Sequence, residues 1–201
     1  MPRGRPNSPE AEAAKRRHIL EAAMRCCIEL GMEGTRLEDV ANEAGVSRNT
    51  VYRYFADRDA LVAAVFDAGS QQYLADAAAA MDARSTLAEQ VGAFAAVAAE
   101  TAVVHRSPDR LAGGDVALMQ LILADGEATL GRMMSFLRGY VEAAVERAEL
   151  AAGIDVDEAC EWLARLIMSI SSAPSSPSFD IADPPSVASF VERFAVAGLQ
   201  P

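Results

Sequence analysis

The sequence predicts an all-α protein of two parts, a small N-terminal domain of three helices in helix-turn-helix order and a larger helical C-terminal domain. Three observations predict it. Apolar residues recur at three- and four-residue spacing along most of the chain. No strand pattern of useful length appears. Between Thr35 and Arg58, two short helix patterns are joined by a glycine turn and followed at once by a third helix start. With 201 residues, 51% of them hydrophobic, the chain is long enough for one sizeable core or two small ones and too apolar for a disordered class.

The chain opens with Pro2-Arg3-Gly4-Arg5-Pro6, too rich in Pro and Gly for a helix, and residues 1–14 are expected to form a flexible basic arm. The motif resembles the AT-hook core. There, Gly lets the backbone lie deep in an A·T-rich minor groove while two guanidiniums, here Arg3 and Arg5, follow its floor. The alternative is a flexible tail that adds only general charge. Lys15 to Leu30 reads as the first helix, with Ile19, Ala22, Ala23, Cys26, Cys27 and Leu30 as its apolar stripe and Gly31 as its stop. Lys15, Arg16 and Arg17 are either a solvated face or a phosphate contact. His18 among them reads as exposed rather than catalytic.

Thr35 is expected to cap the second helix, with Glu38 completing a T-x-x-E box. Leu37, Val40, Ala41 and Ala44 give that helix one apolar stripe, Gly45 stops it, and Val46 is a plausible buried pin. Ser47 caps the third helix. At about 100° per residue, Val51 and Phe55 fall together while Asn49, Thr50, Tyr52 and Arg53 project away. An amide, a hydroxyl, a phenol and a guanidinium are the groups that pair with base edges or phosphates in a major groove. Arg48 lies in the first turn, where helix-turn-helix proteins place base-contacting residues. Tyr54 flanks the apolar stripe within reach of a DNA backbone. Asp57 is the next cap, and Arg58 behind it is placed to meet a phosphate together with the positive end of its helix. An ordinary helical hairpin has no reason to gather these groups on one outward surface.

Thr35, Val40-Ala41, Ala44-Gly45-Val46-Ser47, Thr50-Val51-Tyr52, Tyr54-Phe55 and Arg58 with Ala60-Leu61 form a spaced pattern. The segment resembles the DNA-binding domain of the tetracycline-repressor (TetR) family of bacterial regulators. The resemblance implies base or groove contacts from Arg48, Asn49, Thr50 and Arg53, and phosphate contacts from Tyr52, Tyr54 and Arg58. Thr35, Arg36 and Ser47, at the two helix starts, complete the expected DNA-binding set with Arg3 and Arg5. One departure is Arg58, where the family usually has Lys; the charge is kept and the geometry changes. The resemblance further implies a homodimer on a palindromic double-stranded operator, most readily a repressor released when a small molecule changes the separation of the two recognition helices.

The net charge of −11 argues against DNA only until it is divided. Residues 1–58 carry ten Arg and Lys against nine Asp and Glu, and the remainder carries eight against twenty. The acid therefore lies in the part assigned to another task, and local potential governs contact with a duplex.

In that part, helices are expected from Arg58 to about Ala83, Leu87 to His105, Ala117 to Leu123, Gly126 to Leu150 and Val156 to Ser171. Asp155 and Glu158 cap the last of these. Ser171–Pro185 reads as a loop and Ser186–Gly198 as the final helix. The expected division is 15–60 for DNA binding and 61–201 for effector binding and dimerisation; here the family resemblance is architectural only. Met119, Met133, Met134, Phe136, Tyr140 and Trp162 are either the lining of a pocket for a small apolar effector or ordinary core. Cys160, Leu163 and Ile167, with Val187, Phe190, Val191 and Phe194, give the last two helices more apolar surface than one subunit is expected to cover. They are the expected dimer interface, a two-fold four-helix bundle.

Cys26, Cys27 and Cys160 have no metal-type spacing and read as reduced buried thiols, so neither metal nor cofactor is expected. Nothing near the start resembles a signal peptide and no apolar run reaches a membrane span, which points to a cytoplasmic protein off the membrane. No H-E-x-x-H, phosphate loop or nucleophile elbow occurs, and the two histidines are far apart, so no enzyme is expected. The alternatives left open are an architectural DNA-binding protein and an activator without an effector. The large C-terminal part, over two thirds of the chain, argues for a domain that dimerises and senses.

Overall fold

The computed structural model describes residues 8–31, 33–105, 126–172 and 176–200. Arg3, Arg5, Met119 and the helix expected over Ala117–Leu123 lie outside the described residues. Within them are eight α-helices and no strand: α1 Pro9–Leu30, α2 Leu37–Glu43, α3 Arg48–Tyr54, α4 Arg58–Asp82, α5 Leu87–His105, α6 Gly126–Glu146, α7 Val156–Ser172 and α8 Pro184–Phe194. They fall into two units, the first running as far as Ser70 and the second beginning at Gln71.

In the first unit, α1 starts at Pro9 rather than Lys15, so residues 9–14 are helical. Ser8 accepts the Ala11 N–H at 3.2 Å, Pro9 stands at the first helical position where its missing N–H is not needed, and Glu10 and Glu12 lie at the positive end of the helix. The stripe Ile19, Ala22, Ala23 and Cys26 packs into one core with Leu37, Val40, Ala41, Ala44, Val51, Phe55 and Leu61. Thr35 is not the cap of α2. It is fully buried, and its hydroxyl donates to the Gly31 carbonyl at 2.8 Å, because a buried hydroxyl needs a partner and a helix end offers a spare acceptor. Arg36 takes the cap position, and the Asp39 carboxylate accepts its N–H at 3.1 Å. The box expected from Glu38 is therefore closed one residue later.

Gly45 adopts φ 61°, the left-handed turn that costs glycine least, and the Val46 N–H returns to the Ala41 carbonyl at 3.0 Å. Ser47 caps α3, accepting from the Thr50 N–H at 3.2 Å. Asp57 caps α4, accepting from the Ala60 N–H at 2.8 Å.

The core of the second unit gathers Ala77 and Met81 of α4, Leu87, Val91 and Phe94 of α5, Met133, Leu137 and Val141 of α6, Cys160, Leu163 and Ile167 of α7, and Val187 and Val191 of α8. There α5 packs on α8 and α7, and α6 packs on α7. A capping box opens α5: Glu89 accepts the Thr86 N–H at 3.0 Å and Thr86 Oγ1 accepts the Glu89 N–H at 3.3 Å. The backbone donors of Thr86 and Ser85 hold the Glu89 carboxyl below its usual range.

The sixth helix stops at Glu146, short of Leu150, because Ala148 turns to φ 56° and the Glu149 N–H closes on the Ala144 carbonyl at 3.0 Å. Asp155 caps α7 by accepting from Asp157 and Glu158 at 2.8 and 3.2 Å. The last helix begins at Pro184, two residues before Ser186. Its opening pair of prolines occupies the turn whose N–H groups have no partner within the helix.

The contact between α5 and α8 depends on Gly92. A Cβ there would lie 2.5 Å from Glu192 Cγ and 3.0 Å from the Ala188 carbonyl oxygen. Overpacking of this kind costs about 1–3 kcal/mol, so Gly92→Val is expected at the upper end. Gly139→Ala, where a Cβ would meet nothing within 4 Å, is expected to stabilise by up to about 1 kcal/mol through helix propensity. Urea unfolding of both variants checks the pair of signs; a Gly92→Val protein as stable as wild type would refute the close packing.

Candidate nucleic-acid interface

Val51 and Phe55 anchor α3 in the first core, and their burial decides which side chains face outward. Arg48, Asn49, Tyr52 and Arg53 are exposed, with Thr50 and Tyr54 half-buried. The Thr50 and Ser47 hydroxyls share a hydrogen bond of 2.8 Å, and the Asn49 amide has no partner among the described residues. Arg48 lies over the Tyr52 ring at 5.6 Å, donates to its hydroxyl at 3.3 Å and pairs with Glu38 of α2. Arg53 lies over the Tyr54 ring at 4.9 Å, donates to its hydroxyl at 2.9 Å and reaches Glu12 of α1 at 3.5 Å. The Tyr54 hydroxyl in turn donates to the same Glu12 carboxylate.

Arg36, Leu37, Glu38, Arg48, Tyr52 and Arg58 line a cleft of about 280 Å³. Three guanidiniums and a phenol around an open cleft suit a phosphate or a base edge. Arg58 is aimed from below by the Thr35 carbonyl, to which its Nε donates at 3.3 Å. Thr35 itself corrects the expectation of a DNA contact. Its buried side chain is held by Gly31, so it supports the cleft through its backbone instead of touching a ligand.

Three residues acquire tasks that their spacing did not suggest. Glu12 joins α1 to the reading helix. His18 Nε2 meets the Ala44 carbonyl at 3.0 Å, fastening α1 to the end of α2. Arg16 lies over the Phe55 ring at 5.1 Å, so the basic cluster at 15–17 is partly a packing feature.

In the second unit, Met133 is buried and Met134, Phe136 and Tyr140 are half-buried against the core. Tyr73, Phe94, Phe136 and Tyr140 form a chain of ring contacts with centroids 5.6, 5.4 and 5.7 Å apart. The Tyr140 hydroxyl donates to Asp82 at 2.8 Å; burial, then this carboxylate, push its pKa up to about 12. Trp162 differs from the group it was placed with: it is 49% exposed, and its indole N–H donates to the Ala195 carbonyl at 2.9 Å.

Five of the seven expected dimer residues are corrected as well, while Phe190 and Phe194 keep surface to offer. Cys160, Leu163, Ile167, Val187 and Val191 are at most 1% exposed in the single chain, so they fill their own subunit's core and have no surface to offer a partner. The exposed apolar groups on the same two helices are Trp162 and Phe194, with Leu166 and Phe190 half-buried. All three cysteines are free and buried, and burial pushes each thiol's pKa up.

The first unit is thus a helix-turn-helix module with an outward face of guanidinium, amide and phenol groups, the chemistry that meets base edges and phosphates. Residues 19–65 match the family of bacterial regulatory proteins called the tetR family, and this N-terminal domain is a TetR-family domain. Over 55 residues the chain is 44% identical to the HTH-type transcriptional regulator RutR of Escherichia coli, which is 27% of this chain and 26% of RutR. Over 100 residues it is 31% identical to an uncharacterised HTH-type transcriptional regulator of Mycobacterium tuberculosis, 50% of this chain and 46% of that one. The chain thus matches about a quarter of the length of the first and about half of the second.

The fold extends further than the sequence similarity. A TetR transcriptional regulator of Chloroflexus aurantiacus superposes with a TM-score of 0.64 at 15% identity, covering 94% of this chain and 97% of that one. SmeT, the repressor of the Stenotrophomonas maltophilia multidrug efflux pump SmeDEF, gives 0.61 at 21%, covering 92% and 89%. FadR of Bacillus subtilis in complex with stearoyl-CoA gives 0.59 at 18%, covering 92% and 99%.

Proposed function

We propose that the protein is a sequence-specific transcription regulator, a cytoplasmic homodimer that represses from a palindromic operator and leaves it when a small apolar effector binds the C-terminal domain. The observation that carries the reading is the outward face of α3, where Arg48, Asn49, Tyr52 and Arg53 stand exposed above a cleft shared with Arg36 and Arg58. In this reading Asn49 and Arg53 meet base edges, with Arg48 and Thr50 beside them in the groove. Tyr52, Tyr54, Arg36, Ser47 and Arg58 meet phosphates, and Arg3 and Arg5 enter the adjacent minor groove. Residues 15–60 read DNA and residues 61–201 sense and dimerise.

An apolar effector is favoured by the methionine and aromatic side chains of α6, which adapt to irregular guests. It is also favoured by the fold shared with a stearoyl-CoA complex and with the repressor of an efflux pump. No observation favours an enzyme, and the described residues hold no group of His, Cys, Asp or Glu suited to a metal ion.

Selecting duplexes from a random pool with the purified protein tests the reading. The expected product is an inverted repeat whose half-site centres are one helical turn, about 34–36 Å, or a multiple apart. Saturated and aromatic ligands added to that complex are expected to release it. Enrichment of no sequence, or of a single unrepeated half-site, would count against the proposal.

A further inference from the structure

We infer that Glu12 and Glu38 act as built-in competitors of DNA phosphate, pairing Arg53 and Arg48 in the free protein and so weakening its attachment to DNA of arbitrary sequence. The inference rests on the DNA-reading function proposed above. The two arginines are treated alike by the fold. Each lies over a tyrosine of α3, each donates to that tyrosine's hydroxyl, and each meets one carboxylate from a different supporting helix. Arg48 takes Glu38 from α2. Arg53 takes Glu12 from α1, and Tyr54 ties the same carboxylate in place.

Attachment to unspecific duplex is almost wholly an exchange of phosphate counterions for protein cations. A guanidinium already balanced by a carboxylate gains little from that exchange, and the carboxylate it abandons is left facing the phosphates. Both pairs are half open to solvent, with side-chain exposures of 55% and 53% for Arg48 and Glu38, and 55% and 39% for Arg53 and Glu12. Exposed pairs are weak, so they open readily when a stronger bidentate acceptor is offered. The competitor therefore lowers background attachment without locking the reading face.

Glu12→Gln and Glu38→Gln keep the size and hydrogen-bonding capacity of each side chain while removing its charge. Their affinity for sheared mixed-sequence duplex, and for heparin as a polyanion without bases, is compared with wild type across a salt series. Glu29→Gln, an exposed carboxylate on α1, matches the change in net charge away from the arginines. Each of the first two variants is expected to bind about two- to fivefold more tightly per protomer. Each should also steepen the salt slope by about one unit per protomer, whereas Glu29→Gln stays near wild type. In an Arg53→Ala background the gain from Glu12→Gln should vanish, because its effect passes through that guanidinium.

A wild-type protein that binds neither duplex nor heparin at low salt defeats the DNA-reading function itself. A wild type that binds, with Gln variants no tighter than Glu29→Gln or weaker than wild type, overturns only this inference and makes the carboxylates positioning groups. Urea unfolding of each variant accompanies the isotherms. If Glu12→Gln disturbs the fold through Tyr54, the exposed Glu38→Gln pair still decides the matter.

Discussion

Alanine at Asn49 or Arg53 is expected to cost about 1–3 kcal/mol per base contact and to relax preference at one position in each half-site. A two-fold operator carries each contact twice, so the loss in a dimer is about 2–6 kcal/mol, roughly 30-fold to more than 10⁴-fold in affinity. The reason lies in burial. Val51 and Phe55 are at most 2% exposed, which fixes α3 about its axis and leaves Asn49 and Arg53 no route except outward. Asn49 has no partner among the described residues to surrender on binding, so only its hydration offsets the contact it makes. Arg53 must leave Tyr54 and Glu12, so its net contribution falls toward the lower end of the range.

Tyr52→Phe and Arg36→Ala are expected to act differently, weakening right and wrong sequences alike. Arg36→Ala should also flatten the salt slope by about one unit per subunit, whereas Tyr52→Phe removes no charge and should leave the slope near wild type. Isotherms for the four variants at several salt concentrations, on selected and scrambled duplexes, separate the two classes; four unchanged affinities would sink the assignment of α3 as the reading helix.

The reading helix was legible because every signal for it is local. Ser47 bonds to Thr50 three residues on, Gly45 needs only its own backbone conformation, and the separation of Val51 and Phe55 from Asn49 and Arg53 follows from helical pitch alone. Thr35 was misread as a cap because T-x-x-E fits a helix start. Its role was decided instead by Gly31, whose carbonyl accepts both the backbone N–H and the hydroxyl of the buried Thr35. Glu12 was invisible for a different reason. Its partners lie 41 and 42 residues away, and no period in a single sequence marks a pair brought together by the packing of α1 on α3. The start of α1 was written in Ser8, Pro9 and Glu12, yet the Pro- and Gly-rich stretch just before it extended the expected arm too far.

The expected dimer interface shows how an apolar count misleads when two neighbours compete for the same stripe. Cys160, Leu163 and Ile167 do form one face of α7, and Val187 and Val191 one face of α8, but α5 covers both. The surface left for a partner is Phe194 of the expected set, with Phe190 half-buried beside it, and Trp162, which was expected in the effector set. Trp162 is 49% exposed and Phe194 57%, joined through the bond from the Trp162 indole to the Ala195 carbonyl. Phe194 continues a ring contact from Phe190 at 5.2 Å.

Two large exposed aromatics on adjoining helices are the kind of patch a two-fold interface covers, with aromatic side chains as its anchors. Phe194→Arg is therefore expected to give a folded monomer. At an exposed position the substitution should move the stability of the single chain by only about 0.5 kcal/mol, whereas a pair of unpaired guanidiniums brought together at a symmetric contact opposes association strongly. Phe190→Arg is a poorer test, because Phe190 is half-buried against Phe179 at 5.0 Å and its loss would also disturb the subunit. Splitting the dimer removes the advantage of two linked half-sites, so affinity for a full operator should fall about 10²- to 10⁴-fold, while binding to one half-site stays near its wild-type value. Light scattering gives the mass. The single tryptophan of the chain, Trp162, reports the same event, since its emission moves to longer wavelength when a covering partner is lost. A wild-type protein that is monomeric at micromolar concentration, or a Phe194→Arg variant that remains a dimer with unshifted emission, would place the interface elsewhere.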